Sequence, residues 1–323
     1  MMRRVLSGIQ PSGFLHIGNY FGMIKRAIEW QDKAETLYFI ADYHALTSIK
    51  DPQHLSQYVR KIAMAFLACG IDPAKSIIFK QSAIPEVHEL AWILSSITPF
   101  GLLERSHSFK DKVAKGLSPT VALFSYPVLM TADILLYQSE IIPVGQDQKQ
   151  HLEIARDIAK KFNNTFGEVF RIPEPDIQEE VATIPGIDGQ KMSKSYNNTL
   201  EIFGDLEEFK RRVMSIKTDS TPIESPKPTK GSILVALYKL VATESEYQEF
   251  IASMEKGGYG YAYYKKLLLE KLLAYFQPIR ERYKELEEKP AYVEEVLADG
   301  AYKARMIAQE TLTKARRAVG LLD

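Results

Sequence analysis

The sequence predicts an α/β protein: a doubly wound parallel, Rossmann-like sheet followed by an all-helical domain. Two observations lead there. Short β-like runs alternate with longer helical patterns up to about residue 195, and only helical patterns follow. Within the first part, residues 36–41 (TLYFIA) are apolar without alternation, as a strand covered on both faces must be.

The elements follow in order. Residues 4–9 form a β-like run that ends in the turn Pro11-Ser12-Gly13. From 18 to 30 the apolar positions Phe21, Ile24 and Ile28 fall at helical spacing. After the second strand, Asp51-Pro52 opens a helix that stops at Gly70, a natural C-cap. A third short strand covers 77–79, and a helix covers 85–97. Residues 126–137 read as a largely buried helix, 141–144 as a strand running into Gly145, and 147–162 as a helix. This alternation implies parallel strands joined by right-handed crossovers. Beyond it, helices are predicted over 206–217, 232–242, 245–254, 261–286 and 291–319. Residues 221–230 (TPIESPKPTK), with three prolines, form a polar loop. The expected domains are a catalytic domain over 1–195, a helical domain over 196–290, and a C-terminal helix over 291–323 that packs back on the first.

Bulk properties exclude several classes. The chain has 323 residues, with Lys+Arg and Asp+Glu both at 41, so its net charge is zero. A protein that grips nucleic acid non-specifically is usually basic, so any RNA contact must use local patches. The single Cys69 rules out an internal disulfide and leaves too few thiols for a Cys-based metal site. The N-terminal MMRRVLSGIQPSG lacks the apolar segment of a secretion signal, and no apolar stretch approaches the ~18 residues of a membrane span. The expected setting is cytoplasmic, with no membrane partner.

Two motifs carry phosphate chemistry. Residues 11–19 (PSGFLHIGN) lie between the first strand and the first helix, where helix N-termini present N–H groups to anions. Gly13 allows the turn, Gly18 leaves room for a flat nucleotide, and His16 and Asn19 can donate to phosphate oxygens. By itself this segment reads equally well as a helix-start turn with an incidental histidine. The second motif, Lys191-Met192-Ser193-Lys194-Ser195, follows the flexible stretch Gly186-Ile187-Asp188-Gly189-Gln190. Two lysines on such a loop can neutralise charge on a leaving pyrophosphate. No P-loop and no G-x-G-x-x-G sequence competes with this pair.

The paired motifs resemble the signatures of class I aminoacyl-tRNA synthetases. Residues 7–20 (SGIQPSGFLHIGNY), 126–137 (YPVLMTADILLY), 144–151 (VGQDQKQH) and 188–195 (DGQKMSKS) are similar, in order and spacing, to the bacterial-type tryptophanyl-tRNA synthetase family. The match continues more weakly through Lys217-Thr218-Asp219-Ser220. The resemblance implies ATP-dependent activation of L-tryptophan and its transfer to tRNA(Trp), with Mg²⁺ carried by ATP, no protein-held metal, and a homodimer. Catalytic roles fall on His16, Asn19, Lys191 and Lys194. Gln10, Pro11, Ser12, Gly18, Lys112, Gly145, Gln146, Asp147, Ile184, Met192, Ser193 and Ser195 join them in binding ATP. Asp147 would accept from the ribose, and Ile184 would meet adenine through its backbone.

For the amino acid, the sequence offers its own clue. Asp133 sits in an otherwise apolar helix, where a carboxylate is costly without a donor. An indole nitrogen only donates, so a fixed acceptor suits it; a neighbouring backbone group or lysine could cap the carboxylate instead. The resemblance gives Asp133 the indole role, sets Met130 and Val144 against the ring, and gives the ammonium and carboxylate to Tyr126 and Gln148. Gln146 stands where a glutamate is common in the family, and Leu6 where an aromatic often packs. His44 reads as a structural histidine satisfied by backbone. The helical domain is expected to read the tRNA anticodon; Lys210-Arg211-Arg212, Lys314-Ala315-Arg316-Arg317, and Tyr259, Tyr261, Tyr263 and Tyr264 are its candidate contacts, or are solvated faces and core aromatics. The rival readings are a tyrosyl-tRNA synthetase and a class I-type nucleotidyltransferase acting on a small molecule.

Overall fold

The computed structural model describes residues 3–106, 109, 114, 116, 118–145, 149–176 and 184–323. Five parallel strands form one sheet in the order β3-β2-β1-β4-β5: β1 (Arg4–Ile9), β2 (Glu35–Ile40), β3 (Ser76–Lys80), β4 (Ile141–Pro143) and β5 (Glu174–Asp176). The order reverses between β1 and β4, the switch point at which doubly wound sheets take ligands beyond their strand C-termini. β5 was not expected from sequence. Its Glu-Pro-Asp has no apolar pattern, and its proline is tolerated because the strand lies at the sheet edge.

Helical segments, in chain order, are α1 (Ile17–Asn19), α2 (Lys25–Trp30), α3 (Asp42–Ala45), α4 (Pro52–Cys69), α5 (Glu86–Ser95), α6 (Phe100–Glu104), α7 (Val121–Leu136), α8 (Lys149–Phe166), α9 (Leu206–Met214), α10 (Ile233–Val241), α11 (Glu244–Lys256), α12 (Tyr261–Glu287) and α13 (Pro290–Ala318). A π-helical turn, Tyr20–Ile24, joins α1 to α2. The predicted caps of α4 form. Asp51 accepts from the backbone N–H of Gln53 and His54, and Gly70 closes the helix at φ +105°, a conformation that favours glycine.

The chain forms two compact units, neither continuous in sequence. One comprises Met1–Gly13, Arg26–Gln178 and Lys289–Asp323; the other comprises Phe14–Lys25 and Glu179–Glu288. The first holds the sheet. Its core joins Leu37, Phe39 and Phe79 of the strands to Leu90 and Leu94 of α5, Leu135 of α7 and Ile158 of α8. α13 lies against β3 and α5. Gly300 permits that approach, because a Cβ there would lie 1.9 Å from the Ile78 carbonyl oxygen. Arg305 of α13 donates to Glu86 of α5 at 2.7 Å.

The second unit is built on α12, whose Tyr264, Leu268, Leu272 and Phe276 recur every fourth residue and are buried. Residues 14–25 belong here for two reasons. Ile17 N–H donates to the Leu200 carbonyl and Ile202 N–H to that of Leu15, and Tyr20 packs edge-on against Phe276 at 5.2 Å. The proline-rich loop has an internal organiser: Lys227 is 2% exposed, and its Nζ donates to the carbonyls of Pro222, Ile223 and Ser225.

Candidate active site

Residues 14–19 of the first phosphate motif meet the lysine motif within the second unit. His16 caps α1: its Nδ1 accepts from Asn19 N–H at 3.3 Å, while Asn19 Oδ1 accepts from His16 N–H at 3.2 Å. The reciprocal pair locks both side chains. Because Nδ1 accepts, the ring proton sits on Nε2, which is the donor His16 can offer. Burial, followed by the charge of Lys194, lowers the His16 pKa to about 3, so the ring is neutral at physiological pH.

Gly18 meets the lysine loop directly. Its N–H points at Met192 Sδ, 3.3 Å away. A Cβ at Gly18 would lie 3.0 Å from His16 ring atoms and 3.4 Å from Met192 Cβ, so these neighbours set the space there. Met192 is buried, and its N–H donates to the Ile184 carbonyl at 2.8 Å. Ser193 Oγ accepts from Ser195 N–H and opens a short 3₁₀ turn, Lys194–Tyr196. Lys194 is half-buried, and burial lowers its pKa to about 8, an effect opposed by Glu201. Its ammonium is thus poorly solvated before any anion arrives.

The lysine loop is not loosely tethered. Asn198, 1% exposed, accepts from Ser193 N–H at 2.8 Å and donates to the Lys191 carbonyl at 3.1 Å and to Asp188 Oδ1 at 2.8 Å. Arg212 donates to the carbonyls of Asn197 and Thr199. It is therefore part of this scaffold and not of a solvent-facing basic patch. Four other members of the two basic runs are paired with carboxylates: Lys210 with Glu207, Arg211 with Glu208, Lys314 with Glu310 and Arg316 with Glu89, while Arg317 donates to the Asp323 carbonyl at 3.4 Å. Of the four tyrosines, Tyr264 is core and Tyr261 donates to Asp219, whereas Tyr259 and Tyr263 are exposed and stacked at 4.2 Å.

The expected amino-acid end lies in the first unit. Asp133 is 2% exposed on α7, and its partners are neither backbone nor lysine. Gln81 Nε2 donates to both carboxylate oxygens, at 2.9 and 2.8 Å, and His44 Nε2 lies 2.9 Å from Oδ2. His44 is thus held by a carboxylate, not by backbone as expected; α3 and α7 are far apart in sequence, which hides the pair from a linear reading. Burial raises the Asp133 pKa, against the bonds from His44 and Gln81. Tyr126 Oη lies 2.6 Å from His151 Nε2, and the rings of Tyr126 and His44 meet edge to face. Met130 and Val144 pack on the apolar cluster that includes Leu6. Gln10, just past β1, donates to the His44 carbonyl and to Ser48 Oγ; Pro11 beside it is buried and Ser12 exposed. Gly145 follows β4, while Lys112, Gln146, Asp147 and Gln148 lie outside the described residues. Among the described residues, no cluster of three or more His, Cys, Asp or Glu side chains could hold a metal ion, and no helix is long and apolar enough to cross a membrane.

Residues 2–277 match the sequence family described as tRNA synthetases class I (W and Y). The chain belongs to this family. A tryptophan–tRNA ligase from Campylobacter jejuni is 54% identical over 98% of the chain and 100% of its own length. One from Fusobacterium nucleatum is 52% identical over 99% of both chains. The crystal structure of tryptophanyl-tRNA synthetase from C. jejuni, complexed with ADP and tryptophan, superposes with a TM-score of 0.92 at 54% identity, covering 98% of this chain and 99% of that one. Gln81 and Asn198 escaped the sequence reading. Gln81 lies two residues past the predicted strand over 77–79 and directly after the observed β3, the place where ligands collect in such sheets, and that position is the available signal.

Proposed function

We propose that the protein activates L-tryptophan with ATP and transfers the product to tRNA(Trp). The tryptophan carboxylate attacks the α-phosphorus, giving tryptophanyl-adenylate and releasing pyrophosphate. The terminal ribose hydroxyl of the tRNA then takes the aminoacyl group and releases AMP. No nucleophilic side chain is needed, so the protein contributes positioning and charge. ATP enters as its Mg²⁺ complex, with the metal held chiefly through phosphate oxygens.

The observation that carries the activation chemistry is the junction of the two motifs at Gly18 and Met192 beside the poorly solvated Lys194. His16 Nε2 and the Asn19 amide donate to phosphate oxygens, and Lys191 and Lys194 bear the charge of the departing pyrophosphate. Asp133 accepts the indole N–H. Tyr126 and Gln148 hold the ammonium and carboxylate; Gln10, Ser12, Gly145, Asp147 and Lys112 serve ATP. Tyr259 and Tyr263 in the helical unit offer faces on which unpaired tRNA bases stack. The enzyme works in the cytoplasm as a homodimer.

The test is amino-acid-dependent ATP–pyrophosphate exchange with tryptophan, tyrosine and phenylalanine, followed by tRNA charging. Exchange with tryptophan and charging of tRNA(Trp) are expected. Exchange with tyrosine alone would put the protein among tyrosyl-tRNA synthetases, and exchange without charging among small-molecule nucleotidyltransferases.

A further inference from the structure

Asp133 faces a chemical problem. Buried carboxylates favour the protonated form, and a protonated carboxyl carries a donor as well as acceptors. A pocket that identifies an indole by its N–H needs a group that only accepts.

Gln81 solves this by the way its amide is held. It is 1% exposed, immediately beyond β3. Its Oε1 accepts from Tyr43 N–H at 3.1 Å and from His44 N–H at 3.4 Å. Backbone N–H groups can only donate, so the oxygen must face them and the amide cannot turn over. Nε2 is thereby aimed at Asp133, reaching both oxygens. The other end agrees, since an ionised carboxylate can only accept. The residues that lock the amide are themselves fixed: Asp42, the first residue of α3, accepts from Ser82 N–H at 2.9 Å and from Ser82 Oγ, joining the chain just after β2 to the chain just after β3.

We infer that Gln81 is a specificity-determining positioning residue, which holds Asp133 as a pure acceptor so that an aromatic amino acid is selected for a ring N–H. This rests on the reading of the substrate as tryptophan. Gln81 acts through Asp133 and need not touch the substrate. Loss of its amide leaves Oδ1 without the Gln81 donor and His44 as the donor facing Oδ2, which tips the carboxyl towards a proton, after which an aromatic ring without a donor is no longer excluded.

The test uses the full-length enzyme and compares kcat/KM in ATP–pyrophosphate exchange for L-tryptophan and for its benzothiophene analogue, in which sulfur replaces the ring N–H. The ratio of the two values on one preparation is independent of how much of it is folded. Wild-type enzyme should prefer tryptophan. Gln81→Met keeps the volume and removes the donor, and should lower that preference by about tenfold or more. Gln81→Glu keeps the shape but forces two carboxyls to share a proton, and should lower it too. An unchanged ratio in both variants, with the two substrates losing activity equally, overturns the inference while leaving the tryptophan reading intact. Wild-type exchange with tyrosine and not tryptophan overturns both.

Discussion

Asn198 donates to the carbonyl oxygen of Lys191 at 3.1 Å, fixing the first residue of the lysine loop from behind. The same side chain accepts from Ser193 N–H and donates to Asp188, so every polar atom of its amide is engaged in a buried setting. Gly186 provides the room: a Cβ there would lie 2.3 Å from Asn198 Cγ. The loop's lysines therefore start from a defined base.

That arrangement predicts a rescue. Asn198→Asp sets a second carboxylate against Asp188 and should slow ATP–pyrophosphate exchange by about 10- to 100-fold with little change in tryptophan affinity. Adding Asp188→Asn restores one donor between the two positions and should recover much of the loss. If the double variant is no faster than Asn198→Asp, the contact does not govern the loop.

Lys194 titrates within an accessible range. Its pKa of about 8 means that the free enzyme loses the ammonium as pH rises through 8. The kcat/KM for ATP should fall on that limb with a slope of one proton. Lys194→Arg should remove the limb from the accessible range, because a guanidinium stays charged. A flat profile to pH 9.5 for the wild type would show that the charge is not needed for ATP capture.

His16 makes an acid-side prediction with the opposite readout. Its native pKa, about 3, lies below its ordinary value of 6.5, so the unfolded chain binds a proton that the folded chain refuses. Stability from this group is complete above pH 6.5 and is lost as pH falls towards 3, by up to about 5 kcal/mol at 1.36 kcal/mol per unit. Urea unfolding at pH 7 and pH 4.5 should show a smaller difference for His16→Asn than for wild type.

Packing of the C-terminal helix is testable without reference to catalysis. Gly300→Ala drives a methyl into the Ile78 carbonyl and should cost about 3 kcal/mol or more. Equilibrium unfolding measures it; a loss below about 1 kcal/mol would mean that α13 shifts freely along β3.

Much of the framework was legible in the chain itself. Asp51 and Gly70 mark the ends of α4, the apolar TLYFIA run marks a strand covered on both faces, and the two lysine- and histidine-bearing motifs identify phosphate chemistry, all because these signals are local. Periodicity and capping act over a few residues, so a linear reading captures them. β5 escaped because an edge strand needs no apolar pattern.

Tertiary structure decided what each marked residue faces. Asp133 is visible in the sequence as a carboxylate in an apolar helix, but its partners His44 and Gln81 come from segments that follow β2 and β3, 89 and 52 positions away. Arg212 reads in sequence as part of a basic surface, but its guanidinium donates to the carbonyls of Asn197 and Thr199, which follow the lysine loop. Asn198 carried no motif at all. A buried polar group must find its partner wherever the fold supplies one, and that partner is set by strand order and helix packing rather than by neighbours in the chain.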